Sequence, residues 1–306
     1  MITVIARRLI ASLPVLLGVV TISFFLLALV PGDPVDVMLG EQASNTDKEA
    51  LRKALLLDRP LGERYVLYLE DLAHFDLGIS LTDKKPIGQL VRQRFGATFE
   101  LAMAALAIAS LLGIPFGVWA ALKRDKTADH VFRVVSLVGA SAPSFWIAPT
   151  LVYIFALKLD LLPVNERGGV ANLILPSITL AFGLSAVLIQ ITRASMLEVL
   201  REDYIATARA KGAPLWRVYF YHALANAANP VVSVLALQAG AVLTGTVIVE
   251  SIFDWPGIGT LLFQSIQRRD FPVVQGCVLT IAVITMLVQL LADLVLMALD
   301  PRTRLA

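Results

Sequence analysis

Long apolar stretches constrain the fold of this chain more than any other feature of its sequence. The first runs from Leu9 to Val30, and 15 of these 22 residues are Leu, Ile, Val or Phe. At the centre of a membrane helix, each such residue favours insertion by roughly 0.3 to 0.6 kcal/mol. Five further stretches, each long enough to cross about 30 Å of hydrocarbon as a helix, lie near residues 98–122, 131–157, 174–195, 228–252 and 273–299. The pattern predicts an all-α membrane protein with about six transmembrane helices.

The composition agrees with solvation by lipid. Of 306 residues, 57% are hydrophobic and 16% are charged, whereas about a quarter are charged in a typical soluble domain. The net charge of +2 is too small to indicate a nucleic-acid partner. A single cysteine, Cys277, allows no intrachain disulfide. The three histidines, His74, His130 and His222, lack the spacing of metal ligands, so no metal site is expected.

The first apolar stretch predicts a retained span. Residues 1–30 comprise the amino-terminal end and this helix. The stretch is too long for a signal-peptide core and ends in Pro31-Gly32-Asp33-Pro34, not at a small-residue cleavage site.

The next segment, residues 31–95, is polar and mixed in charge. It predicts a small extracytoplasmic subdomain with amphipathic helices at Asp47–Leu57 and Glu63–Ala73. A loop packed on the membrane surface fits the same pattern. Residues 96–299 then form the main transmembrane domain, with a long loop at 196–226, and residues 300–306 form a tail.

The distribution of basic residues predicts the orientation. Short loops on one side of the predicted spans carry twelve Lys and Arg residues, and those on the other side carry four. The positive-inside rule therefore places both termini and the 196–226 loop in the cytoplasm, and residues 31–95 outside.

The 196–226 loop contains the most informative local pattern. Residues 203–211 are good helix formers, Gly212 stands where a helix C-cap is expected, and Pro214 can open a second helix that runs to His222. On a helical wheel, one face of the first helix is formed by Tyr204, Ile205, Ala208 and Gly212. Such a helix could dock into a groove on a partner protein or lie on anionic lipid, and the spacing alone favours neither.

A resemblance decides between these readings. The segment from Tyr204 to Gly212 resembles the signature loop of ABC importer permeases, in which Glu-Ala-Ala is followed by three residues and Gly. Ala208 and Gly212 match this pattern, whereas Ala206 and Thr207 replace its first two residues. Along almost its whole length, the chain resembles the B-type permease of the dipeptide/oligopeptide/nickel branch. The segments that carry this resemblance are Ala6-Arg-Arg-Leu9, Pro31-Gly-Asp-Pro34, Phe75-Asp-Leu-Gly-Ile-Ser80, Thr192-Arg-Ala-Ser-Met196, Thr207-Ala-Arg-Ala-Lys-Gly212, Trp255-Pro-Gly-Ile-Gly259, Arg269-Asp-Phe-Pro-Val273 and Asp300-Pro-Arg302.

The resemblance implies a type I ABC importer permease fold in a bacterial inner membrane. It also implies three kinds of partner: a homologous second permease, two cytoplasmic ATPases and a periplasmic or lipid-anchored solute-binding protein. ATP and Mg²⁺ would be used by the ATPases, since the sequence lacks the Gly-x-x-x-x-Gly-Lys-[Ser/Thr] loop. We therefore expect this chain to bind no cofactor and not to be an enzyme by itself. The residues expected to couple it to the ATPases are Asp203, Tyr204, Ala206, Thr207, Ala208, Arg209, Lys211 and Gly212.

Other residues are candidates for the solute path or for contact with the binding protein. Polar side chains inside spans are costly and often functional. The path candidates are Ser141, Ser144, Phe145 and Trp146, at an expected helix interruption, with Gln190 and Gln238. For Gln275, Gln289 and Asp293 we expect ordinary interhelical hydrogen bonds. The resemblance suggests an outer gate or binding-protein contact at Glu250, Asp254, Trp255 and Gly257, although Trp255 could instead be an interfacial anchor.

The sequence leaves several solutes possible, and two other classes of membrane protein are alternatives to an importer permease. Di- and oligopeptides are the solutes expected first, with glutathione, nickel chelates and sugars as alternatives. An ion-coupled secondary transporter would need paired ionisable residues at mid-membrane depth, and a membrane hydrolase would need a nucleophile–base or metal constellation. The sequence shows neither pattern.

Overall fold

The computed structural model describes residues 2–29, 35, 44–54, 57–164 and 167–299. The Pro31–Pro34 segment that follows the first apolar stretch and the 300–306 tail lie outside these ranges. Within them the regular secondary structure is helical, apart from one isolated antiparallel bridge between Ile79 and Pro86. The α-helices are α1 (Ile2–Ala28), α2 (Asn45–Ala54), α3 (Leu61–Ala73), α4 (Ile87–Leu122), α5 (Thr127–Ser141), α6 (Ser144–Leu151), α7 (Val170–Val199), α8 (Asp203–Ala210), α9 (Ala225–Ile252), α10 (Ile258–Gln267) and α11 (Phe271–Leu299). Two π-helical turns, Val152–Lys158 and Arg217–Leu224, follow α6 and precede α9.

The long apolar helices agree with the predicted spans. By length and composition, α4, α7, Phe271–Met297 of α11 and the continuous stretch Arg217–Leu243 are each able to cross a membrane. The bent pair α5–α6 makes a fifth candidate, and α1 contains the shorter apolar segment Ile10–Leu26. The amphipathic helices expected before the second span are also present, as α2 and α3.

The predicted interruption of the third span is confirmed as a sharp bend. The axes of Thr127–Ser141 and Ser144–Lys158 differ by 106°. Proline cannot donate its backbone nitrogen, and it pushes the preceding residue towards extended backbone. Ala142, which precedes Pro143, has φ −78° and ψ 122°, and α6 then begins at Ser144.

Two glycines bring α4 and α7 into close contact along the centre of the molecule. A Cβ on Gly113 would lie 2.6 Å from the Cβ of Leu188, and a Cβ on Gly117 would lie 2.6 Å from that of Thr192. Both glycines lie on one face of α4 and form a Gly-x-x-x-Gly pair, which lets two membrane helices approach closely. Gly113 and Gly117 therefore set the close packing of α4 on α7.

Helix α4 extends well beyond the predicted second span. Its 36 residues correspond to about 54 Å at 1.5 Å per residue, against about 30 Å of hydrocarbon. The expected boundary between residues 95 and 96 thus falls inside this helix. The first turns of α4 pack against α10 and α11, where Ile87, Leu90, Val273 and Cys277 share one buried cluster.

Helix α1 packs on α11 at the edge of the bundle. Arg8 Nη1 lies 3.0 Å from Asp293 Oδ2, which joins the two helices by an ion pair. The expectation that Asp293 serves interhelical bonding is confirmed.

Candidate functional site

The candidate coupling helix, α8, is short and well delimited. Its N-cap residue, Glu202, has extended backbone, and the Thr207 hydroxyl donates to the carbonyl of Asp203 at 3.0 Å. Gly212 has φ +78°, a left-handed conformation that glycine adopts without steric cost. The turn after α8 therefore has the geometry that the sequence predicted.

A buried hydrophobic cluster attaches α8 to the transmembrane helices. Ile205 is fully buried among side chains that include Val118 of α4, Met196 of α7 and Ala227 of α9. Ala208 is half-buried and packs against the same cluster. The helical-wheel reasoning assigned Ile205 and Ala208 to the face offered to a partner. That assignment was wrong, because this apolar face is used to attach α8 to its own chain.

The free surface of α8 surrounds Ile205 and Ala208 and is more polar; it includes Tyr204 and Gly212 from the same helical-wheel face. Its exposed residues are Asp203, Tyr204, Ala206, Thr207, Arg209 and Ala210, followed by Lys211 and Gly212. The Arg209 guanidinium lies 6.0 Å from the ring centroid of Tyr219 in the following π-helical turn. Burial, with a smaller effect from nearby Glu202, raises the pKa of Tyr204. Seven of the eight candidate coupling residues are therefore exposed, and Ala208 is not.

The helix interruption of the third span borders a small cavity. About 200 Å³ of space lies between α6, α7 and α9, and its wall includes Ser144, Gly183 and Gly245. Phe145 and Trp146 point away from the core and are about 60% exposed, and Ser141 is also exposed.

The two candidate path glutamines have different environments. Gln238 is buried and donates through Nε2 to the carbonyl of Leu184 at 3.1 Å, which ties α9 to α7. Gln190 is exposed on α7, with its Nε2 3.4 Å from Ser136 Oγ, and lines an open cleft of about 630 Å³ between α5 and α7.

Glu250, at the end of α9, is completely buried and surrounded by hydrogen-bond donors. The Thr98 hydroxyl donates to its Oε1 at 2.7 Å, and the Thr260 amide donates to its Oε2 at 3.0 Å. Thr98 in turn accepts the amide of Ile258 at 2.8 Å, so its own proton is directed at the carboxylate. One carboxylate thus joins α4 to the end of α9 and the start of α10.

The Trp255-Pro-Gly-Ile-Gly259 segment wraps around this carboxylate. Trp255 is buried, and its Nε1 donates to the carbonyl of Ala97 at 2.8 Å. A Cβ on Gly257 would lie 2.3 Å from the Glu250 carboxyl carbon, so only glycine fits there. Asp254 alone of the four candidate binding-protein contacts is exposed, with φ +48°. The buried position of Trp255 shows a packing role that the interfacial-anchor alternative did not anticipate.

Two further polar contacts were not foreseen. The Asp270 carboxylate accepts from the Ser80 hydroxyl at 2.6 Å and from the Thr82 amide at 3.0 Å. Asp129, which is completely buried at the start of α5, accepts from Arg193 Nη2 of α7 at 2.7 Å. Each bond links residues more than 60 positions apart, so no local sequence pattern pairs them. The available signal was that Ser80, Arg193 and Asp270 each lie in a segment that carried the family resemblance.

Similar proteins define the class of this molecule. Residues 113–305 match the family described as binding-protein-dependent transport system inner membrane component, and residues 1–102 match its N-terminal family. The fold is similar to a structure of the MetNI methionine ABC transporter, with a TM-score of 0.58 at 14% identity over 69% of this chain and 97% of the other. A second similar structure is an amino acid ABC transporter with histidines, with a TM-score of 0.51 at 19% identity over 70% and 94%. The chain belongs to the binding-protein-dependent family of inner-membrane transport components.

Relatives place it more narrowly within that family. It is 40% identical to the dipeptide transport system permease protein DppB of Escherichia coli K12, over 99% of both chains. It is 41% identical to the di/tripeptide transport system permease protein DppB of Pseudomonas aeruginosa, also over 99% of both. The glutathione transport system permease protein GsiC of Pectobacterium atrosepticum is 37% identical over 97% of both. The chain is therefore a multi-pass permease subunit of an ABC importer and not an enzyme.

Proposed function

We propose that this chain forms half of the path of an ATP-driven importer for di- or oligopeptides. The observation that carries the proposal is the full-length identity to permeases described as transporting dipeptides. The exposed polar face of α8 supports it, because a short helix that stands on the transmembrane core can pass movement from a partner to that core.

The seating of α8 suggests how the coupling works. ATP binding closes two partner ATPases and moves the helices docked on them. Because Ile205 shares one buried cluster with side chains from α4, α7 and α9, a displacement of α8 can be transmitted through this cluster to all three helices. The bundles then rock from inward-open to outward-open, the binding protein releases its peptide, and hydrolysis resets the complex.

The assembly in this proposal contains a homologous second permease, two ATPases that use ATP and Mg²⁺, and a periplasmic or lipid-anchored binding protein. Both termini and α8 lie in the cytoplasm, and the segment 31–95 lies outside. Asp254 is the most accessible of the candidate contacts for the binding protein.

Glutathione import is a second candidate. It is favoured by the 37% identity to a glutathione permease over 97% of both chains. Glutathione is itself a tripeptide derivative, so the same path and coupling helix would serve it.

Reconstitution of the whole complex tests the proposal. The complex co-purified with this chain is placed in proteoliposomes, and ATP hydrolysis and uptake are measured with a dipeptide, a tetrapeptide or glutathione plus the cognate binding protein. We expect a peptide to stimulate both activities together.

The outcomes separate the candidates. Stimulation by glutathione alone would select the second candidate. Hydrolysis that no peptide or glutathione stimulates would reject the solute assignment and keep the architecture. Uptake by the purified chain alone along an ion gradient would reject the importer itself.

A further inference from the structure

The open cleft between α5 and α7 has a polar floor inside the predicted spans. Ser136 lies nine residues after the start of α5, and Gln190 lies nine residues before the end of α7. At 1.5 Å per residue, both side chains are about 14 Å from the cytoplasmic ends of their helices and about 8 Å inside the predicted spans 131–157 and 174–195, in the cytoplasmic half of a 30 Å hydrocarbon layer. There the two side chains meet, 3.4 Å apart, and Gln190 is exposed.

An exposed amide at this depth indicates water and not lipid. Polar side chains inside membrane spans almost always face the bundle interior or a water-filled cavity, because hydrocarbon offers them no hydrogen-bond partner. A cleft of about 630 Å³ holds several water molecules or part of a small peptide.

The wall of the cleft towards the cytoplasm carries one exposed guanidinium, that of Arg133. His130, Arg133 and Arg193 line it between the polar floor and the cytoplasmic ends of the helices. The acidic residue beside them, Asp129, is fully buried and bonded to Arg193, and the nearby Asp125 side chain is 3.2 Å from Arg124 Nε. The exposed Arg133 side chain therefore presents its charge to the cleft, where a carboxylate is its natural partner.

We propose that this cleft is the cytoplasmic half of the path and accepts the carboxylate of the departing peptide. The inference rests on the proposed function and adds to it a solute preference that is set by the permease. Ser136 and Gln190 offer hydrogen bonds in the cytoplasmic half of the span, and Arg133 attracts the negative charge towards the cytoplasm. Among peptides delivered equally well, those with an extra carboxylate pass this section fastest.

A charge-selectivity assay tests the preference. Uptake of Ala-Glu, Ala-Ala and Ala-Lys is measured in proteoliposomes that contain the full complex, with Arg133→Gln or with Lys123→Gln, which removes an exposed charge outside the cleft. Because the same binding protein serves every variant, its own selectivity cancels in variant-to-wild-type ratios. We expect R133Q to lower the uptake of Ala-Glu relative to Ala-Lys by about threefold, the size of one exposed charge acting through water, and K123Q to leave the ratio unchanged. An unchanged ratio in R133Q, or equal changes in both variants, would overturn the proposal.

Thiol labelling tests the water-filled cleft without transport. The protein's single cysteine, Cys277, is buried, so a new accessible thiol is read against a low background. Gln190→Cys should react with a water-soluble maleimide in the assembled complex, whereas Leu291→Cys, on the exposed apolar face of α11, should not. An unreactive Q190C would overturn the proposal in favour of a lipid-facing groove. If wild-type complexes transport none of the peptides while Q190C reacts, the peptide function fails and the aqueous cleft stands.

Discussion

At the scale of single residues, Glu250 lies in a site where each of its two carboxylate oxygens accepts a hydrogen bond. Replacing it by Gln keeps the size but points an amide NH₂ at either the Thr98 hydroxyl or the Thr260 amide. One buried donor is then left without an acceptor, which costs about 1–3 kcal/mol. We expect E250Q to lower the unfolding midpoint of the purified complex, measured by thermal denaturation in detergent.

Substitutions at Thr98 provide the matched control for this effect. Thr98→Ser keeps the hydroxyl that donates to Glu250 and accepts from Ile258, so it should unfold close to the wild-type temperature. Thr98→Val has nearly the same shape without the hydroxyl and should resemble E250Q. Equal midpoints for the serine and valine variants would show that the hydroxyl bridge contributes nothing.

At the scale of secondary-structure elements, the crossing of α4 and α7 depends on Gly117. A Cβ there would lie 2.9 Å from the carbonyl oxygen of Ile189 as well as 2.6 Å from Thr192. Gly117→Ala should therefore force the helices apart and destabilise the complex by about 1–3 kcal/mol. Gly96→Ala, on the same helix with open space around it, should be neutral or slightly stabilising. The thermal midpoints of the two variant complexes, purified in the same way, are compared. Similar midpoints would contradict the close crossing of α4 and α7.

The two faces of α8 allow coupling to be separated from folding. Ala206 is exposed, so Ala206→Trp should leave the permease assembled and inserted while it blocks docking of the ATPases and abolishes peptide-stimulated hydrolysis. Ile205→Ala should instead loosen the buried cluster and lower stability by about 2–5 kcal/mol. The measurements are stimulated ATP hydrolysis and the thermal midpoint for each variant. The same alanine-to-tryptophan change at exposed Ala73 of α3 controls for added bulk, and normal coupling in A206W would reject α8 as the docking element.

Elements were predictable from the sequence to a greater extent than contacts between them. The length of the apolar stretches predicts the spans, Pro143 favours the bend, and Gly212 predicts the end of α8, because each of these features depends on the local amino-acid sequence. The inward direction of Ile205 was not predictable, since a face of small and apolar side chains fits either a partner or the chain itself. The pairing of Thr98 with Glu250 was missed for a related reason: only the folded packing brings together residues 152 positions apart.

At the scale of the whole molecule, the distribution of charge predicts how the bundle sits in the membrane. Twelve basic residues in short loops on one side against four on the other favour cytoplasmic termini. A fluorescent protein that folds only in the cytoplasm should therefore be bright when fused to either terminus. Alkaline phosphatase, which is active only outside, should be active when inserted after Lys84, in the exposed loop between α3 and α4. Insertion after Lys211, next to α8, should leave the phosphatase inactive. The reverse pattern would place α8 outside the cell, beyond the reach of any ATPase, and would remove the physical basis of the coupling proposed here.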